Sequence, residues 1–423
     1  MSIQTKWMFH LSMSDYALTT VQFEKLGGIK LKLVMVNQQI DLFAGAYAMQ
    51  RFENGLRANS IRVDQTAVLN LYRFCELNDI NLIQRIADQN PFKIGEIEAL
   101  SSFCGYTRHT GDPVDPGWYA ARMRGAKAFI NYLWLFYQDR CKRDLESLQT
   151  SQMLYERMIT GFQTYAKAPF KPYRKDKVGL SPELQAKFIA IIDPADGNDL
   201  NPWKTSKVRW RNYILLILLM LGGNRKGETL LLKLNHFQLT GRRKYYDILK
   251  VVDVVNYPRM EAPSVKTYGR QIDLHDDLAE LIEHYITNVR KQFVGWQKTS
   301  YLLVSYRDGL PLSLQTPNAI LNELIKKHPE FQGLLSPHRL RNTFHDLLNI
   351  ALDRKFKNQS ALNRMTLKSP IQEAAGGWAR NSRMPERYAK GSIQTKVAEM
   401  QVAIQQQAIN PDVWIEDVMD NQQ

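Results

Sequence analysis

The sequence predicts a mainly α-helical protein with a small antiparallel β-sheet, an α+β chain of more than one domain. Three observations carry that expectation. Apolar residues recur at helical spacing through most of the chain. Strand-like stretches are confined to two short regions, near residues 30–43 and 245–274. The 423 residues, 44% hydrophobic and 23% charged, have a soluble-type composition and suffice for two or three cores.

Charge narrows the partners. A formal net charge of +14 on a folded chain points to an anionic partner, nucleic acid first, with a merely basic soluble protein as the plain alternative. Cys75, Cys104 and Cys141 are odd in number and show no C-x-x-C spacing. Neither a disulfide framework nor a zinc site is expected, and reduced thiols in a cytoplasmic protein are. Residues 1–10 lack a signal layout, and the most apolar run, 213–221, is too short to span a bilayer, so no membrane role is expected.

In chain order, residues 30–43 (KLKLVMVNQQIDLF) alternate enough for strands, and 44–57 look helical. Residues 1–55 are either a small β-containing module or an extension of the next domain. From Asn59 the pattern is helical. Val68, Leu71, Tyr72 and Cys75 share one side of a helix over 64–77, and shorter helices fit 81–89 and 94–103. After a loop rich in Gly, Pro and Asp, 118–142 reads as a long helix. Its N-terminal half carries Arg122, Arg124 and Lys127, which suit either DNA phosphates or a solvated face. Residues 166–180 form a basic linker in which Lys171, Arg174 and Lys175 are placed to lie against a nucleic-acid backbone.

The second half begins with an apolar helix over 203–221, closed by Gly222-Gly223. Arg225 then sits in a tight turn between packed segments, a rigid setting for a site or for a simple surface arginine. Residues 245–255 read as a strand, and 264–274 as two short strands about Tyr268-Gly269 with Lys266 near the tip. Beyond them come a helix over 276–293, a short strand over 301–305 and a helix over 315–327. Residues 354–369 read as a loop with a broken helical turn, 371–378 as a short helix closed by glycines, Pro385 as a helix start, and 397–408 as a last amphipathic helix before an acidic tail.

The most informative stretch is Ser336-Pro337-His338-Arg339-Leu340-Arg341-Asn342-Thr343-Phe344-His345. Ser336 suits an N-cap and Pro337 the first helical position. His338 and Arg341, three apart, share a face of the first turn. An imidazole and a guanidinium at a helix N-terminus make a pocket for an anion such as phosphate.

Taken together these stretches resemble the tyrosine recombinases, the phage-integrase-like site-specific recombinases. Gly222-Gly223-Asn224-Arg225-Lys226-Gly227-Glu228 resembles the first arginine box, 266–274 the β-hairpin lysine segment, and His338-Arg339-Leu340-Arg341-Asn342-Thr343-Phe344 the H-x-L-R-x-T-F box. Gly376-Gly377-Trp378 stands where the family has a histidine or tryptophan after glycine, and Arg387-Tyr388-Ala389 where it has its nucleophile. Against that pattern residues 354–369 read as an insertion. The resemblance implies a helical core-DNA-binding domain over 56–165, a catalytic domain over 181–392, and a C-terminal helix and tail over 393–423.

It also implies roles. Arg225 and Arg341 would hold the non-bridging oxygens of a scissile phosphate, and His338 would donate a hydrogen bond to the attacking oxygen or exchange a proton with it. Lys266 would protonate the departing 5′ oxygen, Trp378 would give its indole N–H to the phosphate or pack the pocket shut, and Tyr388 would become joined to the DNA 3′ phosphate. Glu228 would orient its basic neighbours. No metal or other cofactor is implied. The partners implied are double-stranded DNA and further copies of the chain, a tetramer on paired sites formed through the C-terminal helix, in a cytoplasmic, nucleoid-associated protein of a mobile element. Two alternatives stand beside this reading: a DNA-binding protein of the same fold that does not cleave, and a single-cut enzyme like a type IB topoisomerase.

Overall fold

The computed structural model describes residues 16–108, 110–138, 144–168, 178–251, 257–265 and 268–385. They belong to two compact units, Met1–Arg174 and Lys175–Gln423. Among the described residues no helix is long and apolar enough to cross a membrane.

The first unit opens with an antiparallel hairpin of β1 (Tyr16–Phe23) and β2 (Ile29–Val36), in which Tyr16 faces Val36, with β3 (Gln39–Ile40) added on β2. Along β2, Ile29, Leu31 and Leu33 are buried while Lys30 and Lys32 stay half-exposed, the period-two pattern of a one-faced sheet. Helix α1 (Leu42–Glu53) starts where Asp41 accepts the Ala44 N–H at 2.7 Å. Helices α2 (Ala58–Leu77), α3 (Leu82–Ala87), α4 (Ile94–Gly105), α5 (Pro116–Gln138) and α6 (Leu145–Thr164) come next. A buried amide on α2 joins these parts. Gln65 accepts the Val34 N–H at 3.0 Å and donates to the Ala44 carbonyl at 2.9 Å. Val34 and Tyr47 share one core with Phe74, Phe129 and Trp134, so the hairpin and α1 extend the helical bundle.

The second unit is built around α8. After α7 (Pro182–Ile192), α8 (Ser206–Met220) is buried on every side from Ile214 to Met220 and packs with α12. The short helix α9 (Lys226–Leu230) precedes a three-stranded antiparallel sheet, β4 (Phe237–Gln238), β5 (Tyr245–Ile248) and β6 (Arg270–Asp273), in sequence order. Helices α10 (Asp276–His284), α11 (Thr316–Lys327), α12 (Pro337–Lys355) and α13 (Ala361–Gly376) complete it.

Three sequence expectations change. Strand β6 pairs with β5, Ile248 opposite Arg270, while the Val265 N–H turns back to the Val251 carbonyl at 2.7 Å. Tyr268-Gly269 is therefore the entry to β6 and not a hairpin tip. Residues 301–305 form no strand. Tyr301 bridges Lys233 and Val304 bridges Pro311, each as an isolated pair. Residues 361–369 are not loop but the first half of α13, started by Ser360, whose side chain accepts the Asn363 N–H at 3.3 Å. This half lies on the surface, with Leu362 and Met365 exposed, so a packing stripe does not mark it.

Candidate active site

The site starts at the end of α8. The chain reverses through Gly223, which has φ +61° and lies so close to α12 that a Cβ there would fall 2.3 Å from the Phe344 ring. Only glycine meets both demands. Gly223→Ala is expected to lower unfolding free energy by about 2 kcal/mol or more, read as an unchanged slope and a lower midpoint in urea titration. Beyond it Asn224 is fully buried, its Oδ1 accepting the Tyr246 hydroxyl at 3.0 Å.

Arg225 is the N-cap of α9. Its backbone N–H donates to Glu228 Oε2 at 2.7 Å, and its Nη1 donates to Glu228 Oε1 at 2.9 Å. Arg341 comes from α12, where Ser336 accepts the Arg339 N–H at 3.2 Å and Pro337 opens the first turn. Only 1% exposed, Arg341 donates through Nη1 to the Gly223 carbonyl and through Nη2 to the Gly376 carbonyl at 3.0 Å. Arg225 Nη1 reaches that same Gly376 carbonyl at 3.1 Å. Two arginines 116 positions apart in sequence (225 and 341) thus meet at one acceptor.

That acceptor is the C-terminal end of α13, which carries negative dipole. Gly377, at φ +62°, closes the helix: its N–H bonds to the Ala374 carbonyl, and the Trp378 N–H bonds to the Glu373 carbonyl at 2.9 Å. The closure delivers Trp378, whose ring lies 5.6 Å from the Arg341 guanidinium and stacks on His345 at 4.8 Å. The Gly377 carbonyl accepts the Tyr268 N–H at 3.2 Å, so the chain just after Lys266 is tied to the same turn.

Glu228 is 1% exposed and receives two bonds from Arg270 on β6, at 3.1 and 2.8 Å, while Arg341 lies 3.8 Å away. Burial alone would raise its pKa, but the Arg270 hydrogen bonds and the charges of Arg270, Arg341 and Arg225 hold it at about 2. Among the described residues three guanidiniums therefore surround one carboxylate, an excess of positive charge. His345 is pushed to about 2, by burial first and then by Arg341, Arg225 and Arg270. It stands neutral at pH 7. Preorganised donors with unbalanced positive charge can hold an anion and stabilise charge that grows on it.

The structure brings together Arg225, Glu228, Arg341 and Trp378. His338 is exposed on the turn of α12 that precedes Arg341. Lys266 and Tyr388 lie outside the described residues, as do Arg387 and the helix expected over 397–408. The chain leading toward Tyr388 is anchored, since the Ser382 N–H donates to Glu373 Oε1 at 2.9 Å. Sequence reasoning missed Arg270 and His345. In the first unit, Arg122 donates to the Cys104 and Tyr106 carbonyls at 2.9 and 3.2 Å, closing the end of α4. Arg124 is exposed and Lys127 half-buried on α5. Lys171, Arg174 and Lys175 lie outside the described residues.

No protein-family model matches the sequence, and no curated protein matches it. Solved structures do. The chain is similar to the Tn1549 transposon integrase in complex with a circular intermediate DNA (16% identity, 72% of this chain and 86% of that one, TM-score 0.44). It is similar to the XerH site-specific recombinase bound to its difH substrate (16% identity, 70% and 81%, TM-score 0.36). A lambda integrase dimer bound to a core site is a third (12% identity, 88% and 79%, TM-score 0.40).

Proposed function

We propose that this chain is a tyrosine recombinase, cutting and rejoining DNA at specific sites through a covalent bond between Tyr388 and a 3′ phosphate. The observation that carries this reading is the meeting of Arg225 and Arg341 at the Gly376 carbonyl, beside Trp378. Three motifs read separately in the sequence converge there, which three unrelated surface side chains would have no reason to do.

A phenol has an ordinary pKa of about 10 and is a weak nucleophile at neutral pH. The Tyr388 oxygen attacks phosphorus, its proton passes to His338, and the 5′ oxygen departs with a proton from Lys266. Arg225 and Arg341 bind the non-bridging oxygens as charge builds on them. The phosphotyrosyl bond conserves the phosphodiester energy, so a new 5′ hydroxyl reverses the step without ATP. Glu228 orients the arginines. In the full reading four copies act on two paired sites, joined through the helix of residues 397–408, in the service of a mobile element.

Covalent capture tests this. The full chain is mixed with a pool of nicked duplexes and stripped under denaturing conditions. Wild type should retain DNA through a protease-resistant phosphotyrosine, and Tyr388→Phe should retain none. Bound but never covalently held DNA would favour the non-cleaving alternative. An adduct that relaxes supercoils yet never exchanges strands between two sites would favour the topoisomerase-like one.

A further inference from the structure

The second unit holds another concentration of donors, at the opposite end of α8 from Arg225. A cavity of about 840 Å³ opens there between the start of α8, the turn at residues 305–308 and the start of α11. Arg211, which borders it, is nine residues before Met220, or about 14 Å along the helix at 1.5 Å per residue. The Arg225–Glu228 cluster lies beyond Met220 again.

Its walls are built for an acceptor. Arg211 is 3% exposed, and its Nε and Nη2 donate to Asn212 Oδ1 at 3.1 and 2.8 Å. Its Nη1 donates to the Val304 carbonyl at 3.4 Å, and among the described residues it forms no ion pair within 4 Å, the Glu323 carboxylate acting on it only from farther off, so the guanidinium is buried against neutral hydrogen-bond partners, a costly arrangement. Those two bonds also fix the Asn212 amide with its Nδ2 turned away from Arg211. Asn212 is 1% exposed, and Nδ2 has no hydrogen-bond partner. Trp203, 3% exposed on the same wall, has an indole N–H in the same condition. Buried donors of this kind ordinarily find a partner.

The charge around them is positive in balance. Lys204, Lys207 and Arg307 line the rim. Of the acidic lining residues, Asp308 is held by Arg259 in two bonds of 2.7 and 2.9 Å, which leaves exposed Glu323. The 15-residue helix α8 starts at the cavity with no side chain capping its first turn, so its dipole adds to the attraction.

We infer that this cavity is a second phosphate-binding site, separate from the Arg225–Arg341 cluster, which takes a polyphosphate or closely spaced phosphates at Arg211, Asn212 and the α8 N-terminus. The phosphate arrives either on a free polyphosphate-bearing molecule or on a nucleic-acid backbone. The site stands whether or not the recombinase reading does.

Inorganic tripolyphosphate is the probe, titrated calorimetrically into the full chain. Asn212→Asp is the decisive variant. It keeps the acceptor for Arg211, hence the fold, while placing a carboxylate where the free donor was. The inference expects a saturable binding event that persists in Arg225→Ala and is at least about tenfold weaker in Asn212→Asp and in Lys204→Ala/Lys207→Ala. Competition between tripolyphosphate and duplex DNA would assign the phosphate to nucleic acid, and simultaneous binding to a free molecule. Both outcomes support the site. Binding that is absent, indifferent to Asn212→Asp in protein with unaltered thermal unfolding, or lost in Arg225→Ala overturns it.

Discussion

Arg341→Ala is expected to reduce the rate of covalent strand cleavage by about a thousandfold or more while weakening DNA binding by less than about tenfold. The two effects part because Arg341 would meet one phosphate, and would meet it best when its oxygens carry extra charge. Affinity is spread over many phosphate contacts, in keeping with a net charge of +14. The geometry explains why the side chain cannot be replaced cheaply. Arg341 is 1% exposed and bonded to the Gly223 and Gly376 carbonyls, so its fork is fixed before any substrate arrives. Arg341→Lys keeps the charge but cannot hold both carbonyls as a planar fork does, and should recover only part of the rate. Single-turnover cleavage beside equilibrium binding checks the prediction. Rate and affinity falling by the same factor would place Arg341 in general DNA attraction.

Glu228→Gln is expected to cost about 3–5 kcal/mol of folding stability, the largest loss predicted for any single side chain here. The amide keeps the shape but removes the carboxylate that Arg225, Arg270 and Arg341 share. The same cluster fixes the response to acid. Glu228 has its pKa depressed from 4.5 to about 2 in the fold, so its contribution is whole above pH 4.5 and is lost as pH falls toward 2. His345 is lowered from 6.5 to about 2, so below pH 6.5 the unfolded chain takes up a proton that the folded chain refuses. Both terms weaken the fold as pH drops, the histidine first and the carboxylate second. Urea unfolding between pH 8 and pH 4 should show a fall starting near 6.5 and steepening near 4.5. His345→Phe, which keeps an aromatic ring against Trp378, should flatten the first limb, and Glu228→Gln the second. A wild-type curve level from pH 7 to pH 5 would contradict the assignment.

What could be read from the sequence was what is local. The first turn of α12 was legible because Ser336, Pro337, His338 and Arg341 act within one turn. The end of α8 was legible because Gly222-Gly223 stops an apolar helix in the only way available to it. Arg270 was not legible as a partner of Glu228, because the pairing depends on the register of β6 against β5 across 21 intervening residues of chain (249–269). His345 lies seven residues after His338, on the buried side of the same helix, where a histidine reads as core. Its link to Trp378 arises only once α13 closes on α12. The first half of α13 escaped for the opposite reason: an exposed helix has no stripe to betray it. The donors around Arg211 were not legible, since their burial and the cavity between α8 and α11 are properties of packing.

The proposed mechanism depends above all on Arg225 and Arg341 neutralising the charge of the phosphate that Tyr388 attacks. A cleavage substrate carrying an uncharged methylphosphonate at the scissile position, built on a site recovered by covalent capture, isolates that dependence. Arg341→Ala, nearly inert on the normal phosphate, should regain cleavage on the methylphosphonate to within about tenfold of wild type on that substrate. An Arg341→Ala protein that folds and binds this DNA, yet remains as defective on the neutral linkage as on the charged one, would refute charge neutralisation as the role of the two arginines.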